Sequence, residues 1–241
     1  MNRLLEPELL DELPGDDPRA MQSRQDLQRL NAWMRNTQIM AAELQAVFQN
    51  RPPRKLVEIG SGDGTFLLRV AQSLGPQWAG IRAALLDRKN IVTPETRQKF
   101  RELGWEIEII SSDVFDWLRQ QGLESFDVII ANLFLHHFSD AQLVSLFLKA
   151  AQNVQAFVAI EPRRWAWSLI FGRLLWMIGC NGVTRHDAIV SIRAGFARKE
   201  LSALWPKNQP WVLTEQAANF ASHLFVAQRE SRSHPLSSSL S

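Results

Sequence analysis

The segment from Leu56 to Phe66 constrains the fold of this chain more than any other stretch. It reads Leu-Val-Glu-Ile-Gly-Ser-Gly-Asp-Gly-Thr-Phe, so a short apolar run is followed by three glycines at alternate positions. Apolar residues then recur at helical spacing from Phe66 to Ala71. This order predicts a β-strand, a tight glycine turn and the start of a helix. Glycine permits left-handed backbone conformations and lets backbone N–H groups approach a ligand closely.

Two familiar nucleotide-binding loops do not fit these glycines. The dinucleotide fingerprint G-x-G-x-x-G needs a glycine where Thr65 stands, and no lysine follows as a P-loop requires. Gly-x-Gly-x-Gly preceded by Glu58 resembles motif I of the class I S-adenosylmethionine (SAM) methyltransferases. The resemblance extends over residues 51–229. It implies a Rossmann-like, doubly wound sheet of seven strands, mostly parallel, with an antiparallel C-terminal hairpin.

The order of elements along the chain agrees with such an α/β domain. Strand-like and helix-like segments alternate, and the predicted strands cover 55–59, 81–86, 106–111, 127–131, 156–160, 211–217 and 221–228. Helical periodicity over 19–49 predicts an N-terminal helical cap, assigned to residues 1–50. The core is assigned to residues 51–229, including a substrate-lid insert at about 161–205. The serine-rich residues 230–241 are predicted to be disordered.

Composition narrows the classes of function. The formal net charge is only +2 and the basic residues are dispersed, so no nucleic-acid partner is expected. The single cysteine, Cys180, cannot form an internal disulfide, which fits a reducing cytoplasm, and no Cys/His cluster has zinc spacing, so no metal is expected. Residues 1–14 carry four acidic side chains and do not resemble a signal peptide.

Three acidic residues end three successive predicted strands, where an open α/β sheet binds its ligand. The resemblance implies that Glu58 positions the methionine amino group of SAM, often through water. It implies that Asp87 accepts hydrogen bonds from the ribose hydroxyls, and that Asp113 accepts one from the adenine amine with Val114 against the ring. Turn or helix-cap roles are the alternative for Asp87 and Asp113. The predicted cofactor-binding residues are Glu58, Gly60, Ser61, Gly62, Asp63, Gly64, Asp87, Arg88, Asp113, Val114, Asn132 and Leu133.

The segment after the fourth predicted strand points to the reaction centre. It reads Asn-Leu-Phe-Leu-His-His-Phe from Asn132, and the resemblance implies that Asn132 and Leu133 line the floor beside the sulfonium. This sequence resembles the small-molecule and ubiquinone-type branch and lacks the Pro-Pro-Tyr motif of enzymes that methylate the amines of bases. A neutral histidine suits the deprotonation of a hydroxyl, so His136 or His137 is a candidate general base. A structural role for the pair is the alternative.

Further candidates flank or fill the aromatic insert. His186 next to Asp187 is a second candidate base, although adjacent residues seldom pair on one face, and a turn or cap role is the alternative. Arg163 suits binding of a substrate oxyanion, and surface ion pairing is equally compatible with its position. Trp165, Trp167 and, from the cap, Trp33 are predicted to contact the acceptor. The apolar insert itself fits ordinary core, a pocket wall, or an anchor on a membrane surface.

The sequence therefore predicts a cytoplasmic SAM-dependent methyltransferase. Its expected reaction is O-methylation of a small, apolar, phenolic or polyketide-like acceptor. C- or N-methylation of a quinone-like or lipid acceptor stays open, as does a non-catalytic SAM-binding partner subunit. Peripheral contact with a membrane fits the insert, and the oligomeric state is left undetermined.

Overall fold

A computed structural model describes residues 2–14, 16–49, 51–120, 126–208 and 210–230. Its centre is one seven-stranded sheet with the order β3-β2-β1-β4-β5-β7-β6. The first five strands pair in parallel, and β7 runs antiparallel to both β5 and β6. The predicted doubly wound sheet with a C-terminal hairpin is confirmed. The strands are β1 Lys55–Ile59, β2 Arg82–Asp87, β3 Glu106–Ser111, β4 Val128–Asn132, β5 Ala156–Pro162, β6 Trp211–Ala217 and β7 Ser222–Arg229.

The direction of chain progression through the sheet reverses at β1. This strand pairs with β2 on one side and with β4 on the other, so the loops after β1 and β4 diverge to opposite faces. The crevice at such a switch point, beyond the carboxyl ends of the strands, is the ligand site of open α/β sheets. Strands β4 and β5 are buried along their whole length, as expected for central parallel strands covered on both faces.

Helices cover both faces of the sheet. Side chains alternate along each strand, so Val57 belongs to a core with α6, α7 and α10, while Leu56 belongs to a second core with α3, α4 and α5. The described helices are α1 Leu9–Glu12, α2 Pro18–Trp33, α3 Asn36–Phe48, α4 Thr65–Leu74, α5 Pro94–Glu102, α6 Val114–Arg119, α7 Asp140–Asn153, α8 Ala166–Leu174, α9 Gly182–Ala194 and α10 Glu200–Leu204. Short 3-10 helices lie at Pro76–Trp78, Leu135–His137 and Leu175–Ile178.

The N-terminal region consists of an extended strap and two long helices. Asp17 caps α2 by accepting a hydrogen bond from the Arg19 N–H, with proline in the first turn. Helices α2 and α3 are separated at Arg35, whose φ of 56° is left-handed. Among the described residues, none of the helices is long and apolar enough to cross a membrane. The tail expected to be disordered lies, from residue 231 on, outside the described residues.

Candidate active site

A cavity of about 750 Å³ lies at the carboxyl ends of β1, β2 and β4, where the strand order reverses. The cap, the loop after β1 and the insert after β5 enclose it. Most residues predicted to bind the cofactor or to act as base lie in its wall. These are Glu58, Gly60, Ser61, Gly62, Asp63, Asp87, Arg88, Asp113, Val114, Asn132, Leu133, His136 and His137.

The glycine loop owes its shape to two contacts that only glycine allows. Gly60 has φ +70°, and a Cβ there would lie 2.2 Å from Cδ2 of Phe134. Gly64 has φ +74°, and a Cβ there would lie 2.8 Å from Cδ1 of Leu85. Both positions are therefore closed to larger residues. Gly64 is the N-cap of α4 and packs against Leu85, and it is not among the described residues that line the cavity.

Glu58 has a buried oxygen with no protein partner. Its side chain is 2% exposed, and its Oε2 accepts no hydrogen bond from the described residues. Burial raises the pKa of this carboxyl well above its usual range, and the charges of Asp63 and Asp87 raise it further. Ser61 Oγ is likewise buried without a described partner. Orphaned polar atoms are costly unless a ligand or water satisfies them, so the pair marks a site for a polar group.

Asp87 and Asp113 combine local structural roles with positions in the cavity wall. Asp87 accepts hydrogen bonds from the N–H groups of Gly62 and Lys89, both at 2.9 Å. Asp113 caps α6 by accepting the Phe115 N–H at 2.8 Å. A carboxylate can accept about four hydrogen bonds, so these anchors leave capacity for ligand hydroxyls and amines. The turn and cap roles and the ligand role are thus compatible.

The end of β4 carries backbone strain. Leu133 has φ 53°, an uncommon conformation for a leucine, and its N–H donates to the Ile160 carbonyl at 2.8 Å. Strained residues of this kind collect at ligand sites, where the surrounding structure holds them in place. The preceding Asn132 donates to Asn31 and accepts from Asn36, which ties the reaction floor to the cap.

His136 is clamped between two carboxylates. Its Nδ1 lies 2.8 Å from Glu161 Oε2 and its Nε2 lies 3.2 Å from Glu8 Oε1. Burial alone would lower the pKa of His136, but the hydrogen bonds to Glu161 and Glu8 outweigh it and raise the pKa to about 9. Burial also opposes ionisation of Glu8, yet the hydrogen bond to His136 lowers the Glu8 pKa to about 2. The ring is therefore an imidazolium at neutral pH.

The pKa of His137 is shifted in the opposite direction to that of His136. Its ring packs at 4.2 Å from that of His136, and burial together with the His136 charge lowers its pKa. The ring is neutral at pH 7 and lies in the cavity wall. Adjacent histidines thus supply one fixed cation and one neutral proton acceptor.

The same residues are the candidate metal ligands. Glu8, His136 and His137 offer ligand atoms that all lie within 4.8 Å of one another. Both ring nitrogens of His136 already face carboxylates, so a metal ion would have to displace the contact between His136 and Glu8. The sequence contained no signal for this cluster because Glu8 is distant in the chain.

Residues 2–14, which we call the N-terminal strap, close one side of the cavity. The Leu9 and Leu10 N–H groups donate to the two oxygens of Asp187 on α9, each at 2.9 Å. Across the cavity, Lys89 donates to the carbonyls of Asp11 and Leu13 at 3.0 Å. Sequence analysis missed Glu8, Lys89, Asp187 and Glu161 as site residues. Only Glu161 carried a usable signal, since it is an acid at the end of a strand like Glu58.

The predicted acceptor residues and His186 lie elsewhere. The His186 ring is half exposed, and its Nδ1 lies 3.0 Å from Asp187 Oδ1, so these neighbours do pair. Arg163 stacks on Trp165 at 4.6 Å. His186, Arg163, Trp33, Trp165 and Trp167 are not among the described residues that line the cavity. The three tryptophans are exposed on the outer surface.

Comparison with known proteins identifies the domain. Residues 56–156 match a family model described as a methyltransferase domain. No protein of curated function matches the sequence.

Solved structures of other methyltransferases share the fold. The plantazolicin methyltransferase BpumL in complex with SAH (S-adenosylhomocysteine) has a TM-score of 0.61 at 14% identity, covering 89% of this chain and 92% of that one. An O-methyltransferase family protein from Burkholderia thailandensis has a TM-score of 0.54 at 20% identity, covering 90% and 61%. The methyltransferase domain of bacterial CtHen1-C has a TM-score of 0.55 at 14% identity, covering 82% and 98%. The family match over residues 56–156, the glycine loop and the sheet order together support a class I SAM-dependent methyltransferase and indicate SAM as its cofactor.

Proposed function

We propose that this methyltransferase acts on the hydroxyl of a small, apolar acceptor, with phenolic and polyketide-like compounds as the first candidates. The observation that carries the proposal is that one cavity is lined by two chemically different sets of residues. We assign the strand-end acids and the glycine loop to a polar half of the cavity. We assign to the other, apolar half His137 and apolar side chains from the cap and the insert, which are Leu30, Met34, Leu175, Val190 and Ile192.

The polar half fits SAM. The ammonium, the ribose hydroxyls and the adenine amine of SAM are hydrogen-bond donors, and carboxylates are acceptors. We assign the ammonium to Glu58, whose Oε2 lacks a described partner, the ribose to Asp87, and the adenine amine to Asp113. Ser61 Oγ is the second orphaned atom beside the ammonium site. When bound, SAM supplies a methyl carbon on a positively charged sulfur, which is open to in-line attack.

In the apolar half, we assign His137 as the general base. A phenol has a pKa of about 10, so it needs a proton acceptor when it reacts at neutral pH. The His137 ring is neutral because burial and the His136 cation lower its pKa. A nitrogen of His137 takes the proton of the acceptor hydroxyl, which leaves the electron pair on oxygen available for bond formation to carbon. The strap excludes water from this step.

Two alternatives make different predictions. C-methylation of a phenol needs the same base, so only the identity of the product distinguishes it from O-methylation. A nucleic-acid acceptor is disfavoured because the formal net charge is only +2 and the apolar wall offers little to a phosphate backbone.

The proposal is tested by a calorimetric titration with SAH, followed by incubation with SAM and a panel of alkylated phenols, quinols and short RNAs. We expect SAH binding and a methyl ether of a phenol, identified by mass spectrometry and NMR. Folded protein that does not bind SAH would contradict the cofactor assignment. Binding of SAH with methylation of RNA alone, or of carbon alone, would contradict the acceptor assignment.

A further inference from the structure

The outer side of the insert exposes large apolar side chains in unusual density. Trp167 is 63% exposed, Trp176 60% and Met177 65%. We call this surface the tryptophan face. It comprises Trp33, Trp165, Trp167, Ile170, Trp176, Met177, Ile178 and Phe220, each of which is at least 39% exposed.

Three parts of the chain meet on the tryptophan face. The Trp33 ring, at the end of α2, packs edge-on against Phe220 with centroids 4.9 Å apart. Ser168 on α8 donates to the Phe220 carbonyl at 3.1 Å. The rings of Trp165 and Trp167 lie 6.5 Å apart, and residues 176–178 follow α8 directly. An exposed apolar cluster such as the one that Trp33 and Phe220 form beside the start of α8 marks a binding surface.

The segment that carries six of these eight side chains is positively charged. The 24 residues from Arg163 to His186 contain four arginines and no aspartate or glutamate, although the whole chain is nearly neutral. Arg164 turns inward and pairs with Glu200. Arg163 stacks on Trp165 at 4.6 Å. Arg35, two residues after Trp33, and Arg185, which follows the 3-10 helix Leu175–Ile178, are both exposed. Tryptophan with arginine on an exposed helix is the composition of a segment that lies in an anionic membrane interface.

We propose that the tryptophan face docks this methyltransferase onto an anionic membrane surface. The insert has a second, inner side, since Gly172 and Leu175 line the cavity. When the protein is docked, the insert alone separates the lipid from the apolar half of the cavity. Docking itself stands on the exposed face, whereas delivery of a lipid-dissolved acceptor through that wall rests on the proposed function.

The experiment is co-sedimentation of the full chain with vesicles of phosphatidylcholine alone and of phosphatidylcholine mixed with phosphatidylglycerol. We expect binding to the mixed vesicles that weakens with added salt. The double variant Trp167→Gln with Trp176→Gln should bind at least about tenfold more weakly, since each buried large apolar side chain contributes roughly that factor. Leu148→Gln, at an apolar position on α7 that is 42% exposed, is the control away from this face and should bind like the wild type.

Titration with SAH is run on every variant. Unchanged SAH affinity in the double variant shows that it is folded and separates docking from the methyl-transfer proposal. Wild-type protein that sediments with neither kind of vesicle, or a double variant that binds as well as the wild type, would overturn the docking proposal. So would a dimer in solution that dissociates on the Trp167 and Trp176 substitutions, because the face would then bind a second copy of the chain.

Discussion

Nε2 of His136 lies 3.2 Å from Oε1 of Glu8, a residue 128 positions earlier in the chain. This contact joins the N-terminal strap to the end of β4, directly beside the reaction floor. With Glu161 on the other ring nitrogen at 2.8 Å, it fixes His136 as a cation. Burial lowers the pKa of His137, and the His136 cation lowers it further, so a structural ion pair helps to keep the neighbouring ring ready to accept a proton.

Stability should fall at alkaline pH because His136 loses its charge. Its pKa of about 9 is above the usual value of 6.5, so its contribution is complete below 6.5 and is lost as the pH rises through 9. The loss is on the order of 3 kcal/mol. Urea unfolding across this window should show the decline in the wild type and a flatter profile in His136→Gln. An equal decline in both proteins would show that another group titrates.

The contribution of the pair of His136 and Glu8 to stability should also be lost in acid. The Glu8 pKa of about 2 is below its usual value of 4.5, so its contribution is present above 4.5 and is lost as the pH falls toward 2. The contact between Glu8 and His136 should therefore hold the strap most firmly between pH 4.5 and pH 6.5.

His137→Gln should lower kcat by roughly 10²-fold or more, the usual contribution of a general base, without weakening SAH binding. Because the His137 pKa is lowered, the wild-type rate should reach half of its plateau value at a pH below 6.5, the ordinary pKa of histidine. Rates measured against pH test both points. His186→Ala is the control, since its half-exposed ring pairs with Asp187 outside the cavity wall. A rate that His137→Gln leaves unchanged at every pH would place the base elsewhere.

The sequence predicted those parts of the site whose chemistry is local. The bounds of Lys55–Ile59 and Glu106–Ser111 coincide with the predicted strands, because glycines and strand-end acids mark them directly. Helix α6 begins at Val114, directly after Asp113. Its cap is Asp113, for which the sequence allows both a cofactor-binding role and a cap role, and one carboxylate can serve both purposes.

Long-range contacts were beyond sequence reasoning. Nothing near Glu8 indicates that its carboxylate reaches His136, and nothing in the pair His136-His137 indicates which ring is charged. The insert illustrates the same limit. Its tryptophans were expected to contact the acceptor, but helical periodicity does not say which side of α8 faces the cavity, and Trp167 faces outward.

Asp87→Ala should weaken SAH binding by about tenfold or more. The substitution removes the proposed acceptor for the ribose hydroxyls and the anchor for the Gly62 N–H, and hydrogen bonds to a charged group contribute about 1.5–3 kcal/mol. Calorimetric titration measures the change. Asp116→Ala, which removes an exposed carboxylate on α6, should leave the affinity unchanged. Equal affinities in all three proteins would contradict the ribose assignment.

Two anchors of the strap should differ sharply in strength. Asp187 is buried and accepts two backbone N–H groups of the strap, whereas Asp140 is exposed and pairs with Arg3. Hydrogen exchange in residues 2–14 should accelerate about tenfold or more in Asp187→Ala. It should change only a few-fold in Asp140→Ala, because exposed ion pairs contribute little. Similar acceleration in both variants would mean that Asp187 is not the main anchor.

SAH binding should release a proton from Glu58. Burial, with the charges of Asp63 and Asp87, raises the pKa of Glu58, so below that pKa the free enzyme holds it protonated. A ligand ammonium beside the orphaned Oε2 favours the carboxylate and lowers the pKa. The binding enthalpy should therefore depend on the ionisation enthalpy of the buffer wherever Glu58 is protonated in the free enzyme, with a slope of at most one proton. Titrations in phosphate and in Tris measure this slope. Glu58→Gln should abolish it, and the control Glu106→Gln, at an exposed position on β3, should retain it. A slope that persists in Glu58→Gln would assign the proton, and with it the ammonium contact, to another group.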